Sequence, residues 1–160
     1  MNAQRMSVGG VQVYRNLGMI SILGTPQGPG MAGEVLETLG EAGINVEFIS
    51  CCPDSGGGDD IVVCVARARV DEALAALDPV RPRLQPVGVT VTNGLVAVAI
   101  YGPHFREIPW VAGRIFRALA DAGVNILAIS TSVSSVTSVF EEAKLEDALA
   151  ALRGRFDIEG

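Results

Sequence analysis

The stretch Met31-Ala-Gly-Glu-Val-Leu-Glu-Thr-Leu-Gly-Glu-Ala-Gly-Ile-Asn-Val-Glu-Phe-Ile-Ser50 returns 80 residues later as Val111-Ala-Gly-Arg-Ile-Phe-Arg-Ala-Leu-Ala-Asp-Ala-Gly-Val-Asn-Ile-Leu-Ala-Ile-Ser130. Ala32, Gly33, Leu39, Ala42, Gly43, Asn45, Ile49 and Ser50 meet their own kind. A period this long, occurring once, specifies two copies of a small domain, because a solenoid needs three or more short repeats to bury its faces. Function is therefore expected at a junction between two similar modules.

Working outward from the first copy, Met19–Gly24 is a β-rich run, and the turn cluster Thr25-Pro-Gln-Gly-Pro-Gly30 stops it. A helix is predicted from Met31, with Ala32, Val35, Leu36, Leu39 and Ala42 on one face, Glu34, Glu37, Thr38 and Glu41 on the other, and Gly43 as its C-terminal stop. Ile44–Cys52 reads as a second strand, Pro53–Gly58 as a loose loop and Ile61–Val65 as a buried strand. Val70, Ala73, Leu74 and Leu77 mark a second helix, and Val87–Val91 a fourth strand. The order is βαββαβ, the ferredoxin-like α+β plan of an antiparallel sheet with both helices on one face.

The second copy retraces it through Leu95–Tyr101, Pro109–Ala122, Val124–Ser132 and Ser135–Phe140, with Leu145, Ala148, Leu149 and Leu152 marking its last helix. After Leu152 too little chain remains for a well-formed fourth strand. The alternating run Val11-Gln-Val-Tyr14 near the N-terminus is unassigned, so this strand is expected to complete the second module. The predicted division is residues 17–92 for the first module and residues 8–16 plus 93–160 for the second.

Composition narrows the function. The net charge of −6 argues against nucleic acid, whose phosphates are held by clustered Lys and Arg. No apolar run approaches the roughly 20 residues that cross a bilayer, and no signal-peptide core follows the first residues, so a cytoplasmic protein is expected. Cys51, Cys52 and Cys64 fit neither a disulfide framework nor a zinc spacing with the lone His104 and read as small buried apolar residues. Neither a metal nor a cofactor is expected. His104 has no nucleophile motif beside it and reads as a solvated loop residue, and Cys51-Cys52 lacks the Cys-x-x-Cys redox spacing. The hydroxyls from Ser130 to Ser138 have no base to activate them, so no catalytic residue emerges.

Two features point to binding. Thr25–Ala32 sets glycines and a proline just before the free N–H groups of a helix N-terminus, which suits a carboxylate or phosphate or, equally, a plain turn. Asn45 and Asn125 follow the helix-ending glycines, where they either bond their own backbone or face that turn.

These segments, with Ala-Gly-Val-Asn-Ile-Leu-Ala-Ile-Ser-Thr-Ser132 and the closing Leu145–Phe156, resemble the paired ACT domains at the C-terminus of aspartate kinases over nearly the whole chain. The resemblance implies a non-catalytic regulator that binds threonine or lysine and reports it as feedback inhibition. It places effector contacts at Gln27, Gly30, Ala32 and Cys51 from the first copy and at Ala112, Asn125 and Ile126 from the second, with Thr131 and Ser132 on a regulatory strand. It further implies a homodimer whose first and second modules face each other, and an aspartate kinase catalytic subunit as partner. Gln27 stands where the family usually has Asp, Cys51 where it often has Gln, and Ile108-Pro-Trp110 replaces the second Pro-Gly turn. No kinase domain precedes residue 10, which leaves a free-standing regulatory subunit or a fragment, the initial Met favouring the first. The alternatives are an ACT-type sensor of another amino-acid pathway, an orphan interaction module, a small Cys- or His-based enzyme, and an RNA-binding sheet, the last disfavoured by acidity and few aromatics.

Overall fold

The computed structural model describes residues 5–103 and 105–158, which leaves the His104 expectation outside the described residues. The elements in chain order are β1 (Met6–Val8), β2 (Gly10–Pro26), α1 (Met31–Glu41), β3 (Phe48–Pro53), β4 (Gly58–Ala66), α2 (Val70–Leu77), α3 (Arg81–Leu84), β5 (Gly88–Tyr101), α4 (Val111–Asp121), β6 (Ile126–Thr131), β7 (Ser135–Glu141), α5 (Leu145–Arg155) and β8 (Phe156–Ile158). The main sheet has the order β3-β4-β2-β5-β7-β6. Chain contacts divide into two compact units, one of residues 16–95 and one of the residues up to Arg15 together with 96–160.

Two strands are longer than their sequence suggests. Val11–Tyr14 and Met19–Gly24 are halves of the single strand β2, and Val87–Val91 and Leu95–Tyr101 belong to the single strand β5, apart from Val87 itself. Each passes from one unit to the other beside a residue of positive φ, Asn16 at 54° and Gly94 at 72°. A left-handed residue inside an extended run interrupts the apolar alternation, which is why the sequence shows two short strands in place of one.

In the 16–95 unit, β4 pairs antiparallel with β2 and with β3. Ile20, Ile22, Ile61, Val63 and Val65 turn one face of these strands towards Val35 and Leu39 of α1 and Val70, Ala73 and Leu77 of α2. Their burial at period 2 on strands and 3–4 on helices is what fixes the layer of helices over one sheet face. Gly18 is required here, since a Cβ would meet the Val70 side chain and lie 2.8 Å from Asn93 Oδ1.

In the other unit, β6 and β7 pair antiparallel, and Val96, Val98, Ile100, Val136 and Phe140 pack with Val111, Ile115, Leu119, Leu145, Leu149 and Leu152 of α4 and α5. The first half of β2 belongs to this unit: Gly9 N–H donates to the Tyr101 carbonyl at 2.7 Å, and Tyr101 O–H to Gln12 Oε1 at 2.9 Å. The C-terminal run forms only the three-residue strand β8. It lies outside the main sheet: β8 pairs parallel with β1, and Val8 and Phe156 are buried in the same core. Three residues carry too little periodicity for this pairing to show in sequence.

The cysteines also need correction. Cys64 is buried on β4 between two strands, but Cys51 and Cys52 are exposed, because β3 is the last strand of the sheet and its end lacks cover on one side. Burial pushes the Cys64 thiol up to about 12, so it stays protonated and unreactive. Alkylation at pH 8 is expected to modify two thiols of the folded protein rapidly and the third only with denaturant; three equivalent rates would contradict the burial. Separately, a chain beginning at Asn16 loses β1 and the first third of β2. Losing Val8 burial alone removes about 1.5–3 kcal/mol, so calorimetry should show the melting temperature falling by more than about 5 °C.

Candidate functional site

The turn before α1 is open. Gly30 takes φ 97°, no side chain caps the helix, and Gln27, Gly28, Pro29 and Gly30 are all exposed. The left-handed residue needs glycine, and the first-turn N–H groups at the positive end of an 11-residue helix are left for an outside acceptor. Ala32, half-buried in that first turn, presents only a methyl.

Strand register relates the candidate residues of β3 to those of β4 and β2. Cys51 pairs with Ile61, and Asp59 lies opposite both Pro53 and Thr25. Paired residues share a face, and Ile61 is wholly buried on the helix-facing side, so Cys51, Asp59 and Thr25 stand on that same face beyond the core. Partial desolvation first, then the charge of Asp59 and that of Cys52, raises the Cys51 thiol. The Asp59 carboxylate therefore lies near Cys51, a residue that sequence reading passed over because it looked like part of a polar loop.

Hydrogen bonds hold this end rigid. Thr25, fully buried, donates its hydroxyl to the Asp59 carbonyl at 3.0 Å, and Gly24 N–H donates to Asp60 Oδ1 at 2.8 Å. The supposedly loose loop is a closed turn: Asp54 Oδ1 accepts from Gly56 N–H at 2.7 Å and Gly58 N–H at 2.8 Å. A Cβ on Gly58 would lie 2.7 Å from the Thr25 carbonyl oxygen, so glycine permits the approach of the two strands.

The second copy is built differently at the equivalent place. Trp110 occupies the cap position of α4, and the Arg114 guanidinium lies 3.9 Å from its ring centroid. Ala112, Thr131 and Ser132 come together with Phe105, Ile108 and Val136 around a concavity of about 160 Å³. Ser132 Oγ accepts from the N–H of Ser135 at 3.1 Å, closing the turn into β7. Asn125 and Ile126 do not join this group. They follow the far end of α4, which runs about 15 Å at 1.5 Å per residue, and Asn125 is exposed. The expected second-copy residues thus fall into two sets at opposite ends of one helix. Among the described residues, no group of three or more His, Cys, Asp or Glu side chains is placed to hold a metal ion, and no helix is long and apolar enough to cross a membrane.

Comparison with known proteins places the architecture. ACT-domain family profiles match residues 19–81 and 98–156. The regulatory subunit of aspartate kinase from Thermus flavus superposes with a TM-score of 0.83 at 28% identity, over 94% of this chain and 99% of that one. Aspartate kinase from Synechocystis gives 0.88 at 27% identity, over 98% of this chain and 28% of that one. An aspartate kinase of Pseudomonas fluorescens is 31% identical over 152 residues, 95% of this chain and 37% of the relative. The chain thus spans a little over a third of the length of such curated relatives, but nearly all of the Thermus regulatory subunit. It belongs to the ACT-domain family, as a regulatory region of two ACT domains homologous to the regulatory subunits of aspartate kinases.

Proposed function

We propose that this chain is a cytoplasmic, non-catalytic feedback sensor that binds free threonine or lysine as a homodimer and reports it to an aspartate kinase catalytic subunit. The observation that carries the reading is the uncapped N-terminus of α1 behind the left-handed Gly30, with a carboxylate, a thiol and an amide on neighbouring chain. An α-amino acid needs an anion site and a cation site a few ångströms apart. The α1 amides around Gly30 and Ala32 receive its carboxylate through hydrogen bonds and the helix dipole. Asp59 receives its ammonium, which supplies the charge that Gln27 does not. Gln27 and Cys51 read its side chain, and Asn125 and Ile126 of a second copy close the site.

Such a shared site makes ligand binding and subunit geometry one equilibrium, which is what a regulator requires. A ligand held within one unit alone gives no differential affinity between two arrangements and shifts nothing. On this reading Ala112, Thr131 and Ser132 line a second concavity whose shape changes with the same subunit contact.

Titration calorimetry of the full chain against the proteinogenic amino acids tests the proposal. Threonine or lysine should bind; Asp59→Asn should weaken binding about ten- to a hundred-fold, the worth of one charge-assisted hydrogen bond. Asn125→Ala should weaken it too, and Gln27→Asp should tighten it. If neither the native protein nor Gln27→Asp binds any of these amino acids, the sensor reading is wrong.

A further inference from the structure

The three cysteines meet three different surroundings. Cys64 is buried, three positions along β4 from Ile61. Cys51 and Cys52 are exposed neighbours on the edge strand β3, where alternation turns them to opposite faces of the sheet. Cys51 pairs with the buried Ile61 and shares its helix-facing side; Cys52 pairs with Asp60, its Sγ 3.7 Å from Ser50 Oγ. The two cannot bridge to each other, because consecutive Cα atoms are about 3.8 Å apart, below the roughly 4.4–6.8 Å that a disulfide spans. A disulfide formed at Cys51 therefore joins it to a molecule from outside the chain.

The carboxylate beside Cys51 selects that molecule. Asp59 is half-buried, its charge reaches the Cys51 sulfur, and it takes no ion pair among the described residues. A half-buried charge without a partner favours a cation. Partial desolvation first, and then Asp59, hold the Cys51 thiol up, so a disulfide that does not bind first meets little thiolate and exchanges slowly. An anionic disulfide is repelled by the same carboxylate. A disulfide that carries an ammonium group neutralises Asp59 and brings its sulfur to Cys51.

We infer that Cys51 is a thiol–disulfide exchange site for the disulfide of an α-amino acid, cystine, and that the adduct closes the amino-acid site. This rests on the proposed function: the α1 amides take the carboxylate of one cystine half, Asp59 its ammonium, and the side chain points to Cys51. Unlike that of threonine or lysine, this side chain carries a sulfur that can react. The Cys51 thiolate attacks it, the S–S bond of cystine breaks as the new S–S bond to Cys51 forms, and the other cysteine leaves as a thiolate that takes up the proton Cys51 gave up. One disulfide replaces another, so no further oxidant is needed. The attached cysteine stays where a free amino acid would sit, and a modified copy no longer binds threonine or lysine. Cys52, on the opposite face, exchanges without this direction.

Mass spectrometry of the full chain carrying Cys52→Ser, which leaves Cys51 as the exposed thiol, reads the exchange rate. The probes at equal concentration are cystine, cystamine, which has the ammonium groups without the carboxylates, and 2-hydroxyethyl disulfide, which has neither. Cystine should add to Cys51 at least about ten-fold faster than 2-hydroxyethyl disulfide, the lower worth of one charge-assisted hydrogen bond, with cystamine between them. Asp59→Asn should remove the preference without slowing 2-hydroxyethyl disulfide. By calorimetry the cysteinylated protein should bind neither threonine nor lysine, and removal of the adduct with a phosphine reductant should restore binding. Equal rates for the three disulfides, or cystamine faster than cystine, overturn this inference; threonine or lysine binding in the same protein would then leave the sensor reading standing. A preference for cystine in a chain that binds neither threonine nor lysine supports the exchange site and overturns the choice of effector alone.

Discussion

The hydrogen-bonded pairing of β2 with β5 is the constraint on which the rest depends. Each strand gives one half to each unit, so the unit ending at residue 158 takes its missing strand from the start of the chain. Neither unit can be completed until residues far apart in sequence have paired. Everything local then follows the ordinary rules: apolar residues at period 2 on the strands meet apolar residues at period 3–4 on the helices, and the helices cover one face. The short β1–β8 ribbon ties the two ends of the same unit together, with Val8 and Phe156 in the core.

Duplication supplied two equal frames, and divergence at a few positions made them unequal. Gly30 precedes α1 in a left-handed conformation, where the equivalent Trp110 holds the cap position of α4 and stacks with Arg114; neither helix carries a side-chain cap. Cys51 aligns with Thr131, and Thr131 lies with Ala112, the equivalent of Ala32, around one concavity. A glycine turn before one helix and an aromatic side chain before the other is the asymmetry expected when two modules share work. Identical modules gain nothing from being distinguished.

Much of this was legible in the sequence because the repeat checks itself. The positions of α1, α4, β4 and β7 come from apolar spacing that appears twice, and the glycines ending both helices, Gly43 and Gly123, do adopt left-handed φ of 68° and 71°. What sequence missed was of three kinds. Continuity of β2 and β5 is masked by Asn16 and Gly94, which break the alternation without breaking the strand. The exposure of Cys51 and Cys52 depends on β3 being an edge, a property of strand order and not of composition. The place of Asp59 depends on register, since a shift of one residue would carry its carboxylate to the opposite face.

The central claim is that a free amino acid is held by the open end of α1 against the end of β3 and β4. Amide nuclear magnetic resonance of the labelled chain, titrated with threonine and with lysine, reads that directly. The account predicts saturable shifts, largest at Gly30 through Gly33, Cys51 and Asp59 in one unit and at Asn125 and Ile126 in the other. Saturating shifts elsewhere, with the first turn of α1 unmoved, would contradict it.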